Sequence, residues 1–115
     1  MKPAIALGVL ISVALLPLAA EGKSARCVIK QQGLIAFAGA CDFQADSGGS
    51  FGIRRPDGKP ILPNITDISV FLVAPGVAEV RGLTTDGINS RWGAARRNQA
   101  DAACWTGSDF EVCAY

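Results

Sequence analysis

The sequence predicts an all-β fold, a small antiparallel meander that closes into a barrel or a sandwich and carries two disulfides. Three observations lead to this prediction. The 13 glycines and 6 prolines recur at short intervals along the 115 residues, and no window shows a sustained 3.6-residue apolar period between helix caps. Four cysteines follow an N-terminal apolar segment, and an even number of cysteines in a short exported chain indicates disulfides.

The N-terminal segment predicts export. A short basic start precedes an almost continuous apolar run from Ala4 to Ala20, after which charged residues return. This order, with small residues at the end of the run, is typical of a secretory signal peptide. We expect a signal peptide over residues 1–20, cleaved after Ala20 or after Gly22, and a single all-β domain over residues 21–115. The run is short for a permanent membrane anchor, so the protein is expected to be periplasmic or secreted, without stable membrane insertion after cleavage.

The predicted strands follow one another along the domain, separated by glycine- and proline-containing turns such as Gln32-Gly33, Pro75-Gly76 and Asp86-Gly87. The strands are expected at Cys27–Gln31, Leu34–Ala38, Cys41–Ala45, Ser50–Arg54, Asp67–Ala74, Val77–Leu83, Asn89–Ala94, Ala102–Thr106 and Phe110–Ala114.

Four segments of the domain allow sharper predictions. The alternation from Val77 to Arg81 places Ala78 and Val80 inward and the charges between them outward. The run Ile68–Val73 has apolar residues at both odd and even positions, which indicates a central strand covered on both faces. Residues 96–101 are compatible with one helical turn. The proline-bounded stretch Arg55–Thr66 is either a binding loop or a crossover between sheet edges.

The last two cysteines are predicted to form a disulfide across a hairpin. A two-residue turn at Ser108-Asp109 places Trp105 opposite Val112 and Cys104 opposite Cys113. Counted outward from the turn, the two cysteines face each other at a non-hydrogen-bonded position, where Cα atoms lie about 4.5 Å apart. That separation is within disulfide range.

The pair Cys27–Cys41 then follows by elimination. A turn at Gln32-Gly33 would set Cys27 opposite Ala38 rather than Cys41, so either Gly39 supplies a bulge or the bond closes a wider loop. Zinc is the competing interpretation of the four cysteines, but their spacings are unlike the CxxC pairs that hold this metal.

Composition restricts the chemistry. The chain has 11 Lys and Arg against 10 Asp and Glu. With Lys2 removed, the positive and negative charges are equal in number, so the domain has no net positive charge that would indicate binding to nucleic acid. Histidine is absent, which removes the commonest general base and the histidine-containing nucleophile pairs and metal sites. We expect no catalytic residue, no metal site, no cofactor and no nucleic-acid partner.

Four short segments form a pattern along the domain: Gly39-Ala40-Cys41-Asp42-Phe43, Gly49-Ser50-Phe51 with Ile53, Ala103-Cys104-Trp105, and Val112-Cys113-Ala114-Tyr115. This pattern resembles a group of small exported proteobacterial domains of uncharacterised function. The resemblance covers most of the domain and implies a periplasmic or secreted two-disulfide β domain, without assigning any catalytic or binding residue.

The segment Arg91–Arg97 is the strongest candidate for a binding surface. Arg91, Trp92, Arg96 and Arg97 combine guanidinium groups, which fork onto carboxylates and stack on rings, with an aromatic side chain. The alternative is that Trp92 belongs to the core and the arginines are solvated. Trp105 is expected to pack on the disulfide of its neighbour Cys104.

The predicted function is non-catalytic binding of a protein or glycan in the cell envelope. One concrete form is an inhibitor-like module that presents Arg55–Thr66 or Trp92–Arg97 to an envelope or host protein. A second is a small hydrolase or lectin directed at cell-wall carbohydrate that uses Asp42, Asp46 or Asp109, since paired carboxylates can act as acid and base on glycosidic bonds. The third is a purely structural envelope protein.

Overall fold

The computed structural model describes residues 22–115, which form a closed barrel of eight antiparallel strands. The strands follow chain order around the barrel, and the last pairs with the first. The predicted all-β meander is confirmed, and it closes as a barrel. The predicted signal peptide, residues 1–20, lies outside the described residues. The strands are β1 (Lys23–Gln31), β2 (Leu34–Ala45), β3 (Phe51–Arg54), β4 (Ile65–Ala74), β5 (Val77–Thr84), β6 (Asn89–Arg97), β7 (Cys104–Thr106) and β8 (Phe110–Ala114), with a short 3-10 helix, Ser47–Gly49, after β2.

Because the strands alternate in direction, their connections collect at two ends. We call the upper end the one that carries residues 32–33, 55–64, 85–88 and 107–109. The lower end carries residues 46–50, 75–76 and 98–103. Within residues 22–115, no helix is long and apolar enough to cross a membrane.

Side chains of alternate strand residues fill the barrel. Ile29, Ile68, Val70, Val80 and Val112 are completely inaccessible to solvent. In β5 the predicted alternation is confirmed, because Ala78 and Val80 are buried while Glu79 and Arg81 form an ion pair on the outer face. The loop after β3 also turns Ile61 and Leu62 into the core.

Both disulfides are present, as predicted. The β7–β8 hairpin has the predicted register, with Cys104 opposite Cys113 and their Cα atoms 4.0 Å apart. Cys27 lies opposite Gly39, because a bulge between Ile29 and Lys30 shifts the β1–β2 register by one residue. Cys41 then lies two residues further along the same face of β2, within reach of Cys27. The additional residue of the bulge is Ala36 of β2, which lies between Ile35 and Phe37, the partners of Lys30 and Ile29, so Gly39 does not supply the bulge.

The two predicted strands Leu34–Ala38 and Cys41–Ala45 are one continuous strand, β2, because both keep their pairing with β1. The predicted helical turn at residues 96–101 is wrong. β6 continues to Arg97, and the following loop is held by the Asn98 side-chain oxygen, which accepts hydrogen bonds from the backbone N–H groups of Ala100 and Asp101.

β4 is buried on one face only, which corrects the prediction of a strand covered on both. Ile68 and Val70 point into the barrel, whereas Phe71 and Val73 on the outer face are 58% and 57% exposed. A closed barrel has a single interior, and within residues 22–115 no second layer packs outside β4.

Candidate binding cleft

A β-bulge in β6 determines where Trp92 points. Val80 of β5 pairs with Gly93 and the next residue, Arg81, pairs with Arg91, so Trp92 is the additional residue of the bulge. Gly93 has a φ of 130°, in the region where L side chains are strained. Bulges redirect side chains, and here Arg91 joins the outer face of β5 while the Trp92 ring packs against the core.

Two glycines make room for the aromatic rings at this place. A Cβ on Gly82 of β5 would lie 2.8 Å from the indole nitrogen of Trp92, and a Cβ on Gly107 would lie 2.3 Å from the Phe110 ring. The two rings meet edge to face, with centroids 5.6 Å apart. Trp92 remains half-buried, whereas Phe110 is buried below it.

The barrel wall is incomplete beside Trp92. β7 has three residues and pairs with β6 only at Arg96 and Arg97, so the upper half of β6 has no strand partner on that side among the described residues. The gap opens a cleft of about 520 Å³, within the range of small-molecule sites. We call this the upper cleft; it is lined by Gln31, Gln32, Leu34, Arg91, Trp92, Asp109 and Phe110.

Polar groups of the upper cleft are left without partners inside the protein. Within residues 22–115, the side-chain amides of Gln31 and Gln32, the carboxylate of Asp109 and the indole N–H of Trp92 form no hydrogen bond or ion pair. They are accessible to solvent, so they incur no penalty of burial. Each is therefore free to bond a ligand.

The position of Gln32 is held by backbone contacts. Its φ is 53° and that of Gly33 is 78°, the left-handed pair that a tight hairpin turn requires. The backbone N–H of Gln32 donates to the carbonyl of Asp109 at 2.7 Å. This bond joins the β1–β2 turn to the β7–β8 turn, so two separate hairpins form one rim of the cleft.

Arg91 is partly neutralised. Its Nε donates to Glu79, which also accepts from Arg81. The hydrogen bond from Arg91, together with the nearby charge of Arg81, holds the pKa of the Glu79 carboxyl below its ordinary value. The outer face of β5 and β6 thus keeps a carboxylate charged between two guanidinium groups.

The structure divides the four predicted binding residues between the two ends of β6. Arg91 and Trp92 line the upper cleft, whereas Arg96 and Arg97 lie at the lower end beside Pro75 and residues 98–102. Five residues separate Trp92 from Arg97, which is roughly 16 Å along an extended strand.

Arg97 is occupied by structural contacts. Its guanidinium lies 4.7 Å from the centre of the Trp105 ring, and Nη1 donates to the Ala102 carbonyl at 3.0 Å. Arg96 is exposed, and no hydrogen bond or ion pair engages its side chain within residues 22–115.

The candidate carboxylates are not gathered either. Asp42 lies on the lower half of β2, and Asp46 accepts from the N–H of Ser47 at the start of the 3-10 helix. Asp109 is at the opposite end of the barrel. Glu111, two residues after Asp109, is engaged by Thr106 and Lys30.

Sequence reasoning found Arg91, Trp92 and Asp109, but it missed Gln31, Gln32 and Leu34 as neighbours of Trp92. It also missed that Gly82 and Gly107 leave room for the Trp92 and Phe110 rings. Glycine inside a strand often marks a close approach of another group, so these glycines were the available signal. What they receive depends on packing across the barrel.

Comparison of the chain with protein-family models, with curated proteins and with solved structures finds no match. The resemblance to exported proteobacterial domains therefore stays a prediction. The small all-β domain with two disulfides that it implies is present.

Proposed function

We propose that this protein is a non-catalytic binding domain of the periplasm or the cell exterior and that the upper cleft is its binding surface. The location is supported by the predicted signal peptide and by two disulfides, which persist in oxidising compartments. The observation that carries the binding function is a preformed cleft in which unpartnered polar groups surround a half-buried tryptophan.

Binding is favoured over catalysis because the carboxylates do not form a pair in the cleft. Among residues 22–115, Asp109 is the one carboxylate that lines the upper cleft, and hydrolysis of a glycosidic bond ordinarily needs two, about 5–9 Å apart. Glu111, in the adjoining hollow, is already engaged by Thr106 and Lys30. Asp42 and Asp46 lie on the other half of the molecule.

The inhibitor-like form of the proposal would place the cleft rim against an envelope or host protein. Leu34 and Ile35 at the tip of the β1–β2 hairpin are 75% and 64% exposed, and exposed apolar side chains next to a cleft are typical of contact surfaces. The earlier candidates Arg96 and Arg97 belong to a different surface.

The experiment is affinity capture from an envelope fraction with the purified, oxidised domain. Trp92→Ala, in the cleft, is expected to remove the captured partner, because aromatic side chains at the centre of a site supply much of the binding energy. Arg96→Ala is the matched control, since Arg96 is a solvent-exposed residue of the same strand at the lower end. Capture that survives Trp92→Ala but is lost with Arg96→Ala would place the binding surface at the lower end and refute the assignment of the cleft.

A further inference from the structure

A second hollow adjoins the upper cleft. It has a volume of about 440 Å³ and is lined by Lys30, Gln32, Gly33 and residues 106–111. The two hollows share Gln32, Asp109 and Phe110. A ligand that fills both must therefore be extended and must cross the rim where Gln32 bonds to the Asp109 carbonyl.

The charges along this double hollow balance. Its lining contains two cations, Arg91 and Lys30, and two carboxylates, Asp109 and Glu111. Arg91 is already bonded to Glu79, and Lys30 lies 3.7 Å from Glu111. Both cations are therefore paired, and among the described residues of the lining the charge left unpaired is the carboxylate of Asp109. The electrostatics disfavour an anionic ligand, whereas a single carboxylate can accept hydrogen bonds from the hydroxyls of a neutral one.

The hydrogen-bonding groups that remain free in the hollows are suited to bind hydroxyl groups of a ligand. Side-chain amides donate and accept, an ionised carboxylate accepts, and the indole N–H donates. All of these groups are supplied by Gln31, Gln32, Asp109 and Trp92, whose side chains have no partner in the part of the chain that the structure describes. The half-buried Trp92 ring adds an apolar surface, and a polyhydroxylated ring has both C–H faces and hydroxyl edges to match such a mixture.

We propose that the double hollow binds a neutral glycan chain of more than one sugar unit. This inference rests on the proposed function and assigns its ligand class. Trp92 contacts the face of one sugar in the upper cleft, Gln32 bonds to the chain where it crosses the rim, and Asp109 accepts from hydroxyls on either side of that rim.

The test is isothermal titration calorimetry of the oxidised domain with defined sugars. The neutral probes are chitotetraose and cellotetraose, the short probes are their monosaccharides, and the anionic probe is tetragalacturonate. At least one neutral tetramer is expected to bind, with its monosaccharide about tenfold weaker or more, because each lost hydrogen bond to a charged or polar site costs about one power of ten. The anionic tetramer is also expected to bind about tenfold more weakly or worse, because its carboxylates are repelled by Asp109. Raising the salt concentration should change the affinity less than about twofold, since screening acts on net charge.

The direction of the effect of Asp109→Asn separates a neutral ligand from an anionic one, and a cationic ligand would be recognised by an affinity that falls with salt concentration. A neutral glycan loses a charge-assisted hydrogen bond and is expected to bind about three- to tenfold more weakly. An anionic ligand would instead bind more tightly, and that result overturns the inference. Trp92→Phe, which retains an aromatic ring, should weaken binding less than Trp92→Ala, and Arg96→Ala should leave it unchanged.

The outcomes separate this inference from the proposed function. If no neutral tetramer binds while Trp92-dependent capture of an envelope protein persists, the glycan assignment is wrong and the cleft remains a protein-binding surface. If a neutral tetramer binds equally well to wild type and Trp92→Ala, with both variants folded by circular dichroism, the glycan site is elsewhere and this inference is wrong; the proposed function fails as well if capture of the envelope partner also survives Trp92→Ala.

Discussion

Trp92 and Trp105 lie in opposite halves of the same barrel and have opposite surroundings. Trp105 is 2% exposed, belongs to the core cluster and carries Arg97 stacked on its ring. Trp92 is half-buried beside a gap in the wall, and the side chains of Gln31, Gln32 and Asp109 around it form no hydrogen bond or ion pair within residues 22–115. The same residue type therefore stabilises the fold at one end and is available to a ligand at the other, according to whether the wall is closed beside it.

Trp105 was expected to pack on the disulfide of its neighbour Cys104, but it belongs to the core cluster without that disulfide. The core cluster contains Trp105 together with Cys27 and Cys41, but not Cys104 or Cys113. Successive strand residues point to opposite faces, so Trp105 faces the barrel interior and the Cys104–Cys113 bond lies on the other face of the hairpin, where it is buried near the Tyr115 hydroxyl.

The largest expected effect contrasts the two tryptophans directly. Trp105→Ala should lower the free energy of unfolding by about 3–5 kcal/mol, because it leaves a cavity in the core. Trp92→Ala should lower it by only about 1–2 kcal/mol, because much of that ring faces solvent. Urea unfolding of both variants measures the difference, and equal losses would mean that Trp92 is an ordinary core residue.

The next largest effect on stability is expected at Gly82, the glycine that leaves room for the Trp92 ring. Gly82→Ala places a methyl group against the indole and should destabilise the fold by about 1–3 kcal/mol while displacing the ring from the cleft. Gly39→Ala is the matched control, since its Cβ would meet only the Phe37 ring at an ordinary 3.6 Å. Ligand binding that is unchanged in Gly82→Ala would show that the ring position does not matter.

The third prediction concerns Gln32, which is not the residue that the β1–β2 turn prefers but whose side chain lines the cleft. Gln32→Asn is expected to raise the free energy of unfolding by about 0.5 kcal/mol, because Asn-Gly is the preferred pair for a turn with two positive φ angles. The shorter side chain should bind the ligand less well. Thermal unfolding and calorimetry test the two halves of this prediction, and a loss of stability would contradict it.

The smallest expected effect concerns a hydrogen-bonded pair at the lower end of the barrel, Tyr115 and Asp101. The Tyr115 hydroxyl donates to Asp101 at 2.6 Å; this bond raises the pKa of Tyr115 above 10.0 and, with the N–H of Ala103, lowers the pKa of Asp101 below 3.8. The stabilisation by Asp101 is thus lost as pH falls through its lowered pKa. The stabilisation by Tyr115 is lost as pH rises through its raised pKa.

Tyr115 is the only tyrosine in the chain, so tyrosinate absorbance reports its ionisation alone. We expect a midpoint above 10.0 in the folded protein and a lower midpoint in Asp101→Asn or in denaturant. A folded midpoint that does not respond to Asp101→Asn would show that the hydrogen bond is not formed in solution.

Local patterns predicted the parts of the fold that depend on neighbouring residues. The register of the β7–β8 hairpin could be predicted from the sequence, because its turn is short and its two cysteines lie an equal number of residues from the turn. The Cys27–Cys41 bond was predicted by elimination only, because a bulge shifts the β1–β2 register and its position has no clear mark in the sequence. The grouping of arginines with Trp92 failed as a single surface, since residues adjacent in the chain extend along a strand instead of gathering.

The sequence alone determined the class of fold, the series of antiparallel strands, both disulfide pairs and the absence of histidine chemistry, because turn residues, cysteine number and composition act locally or over the whole chain. Only the tertiary structure decided that the sheet closes on itself, that the short β7 leaves a gap beside β6 and that Gln31, Gln32 and Asp109 meet Trp92 there. Such contacts join strands from both ends of the chain, and their geometry is fixed by barrel closure and by bulges rather than by local propensity.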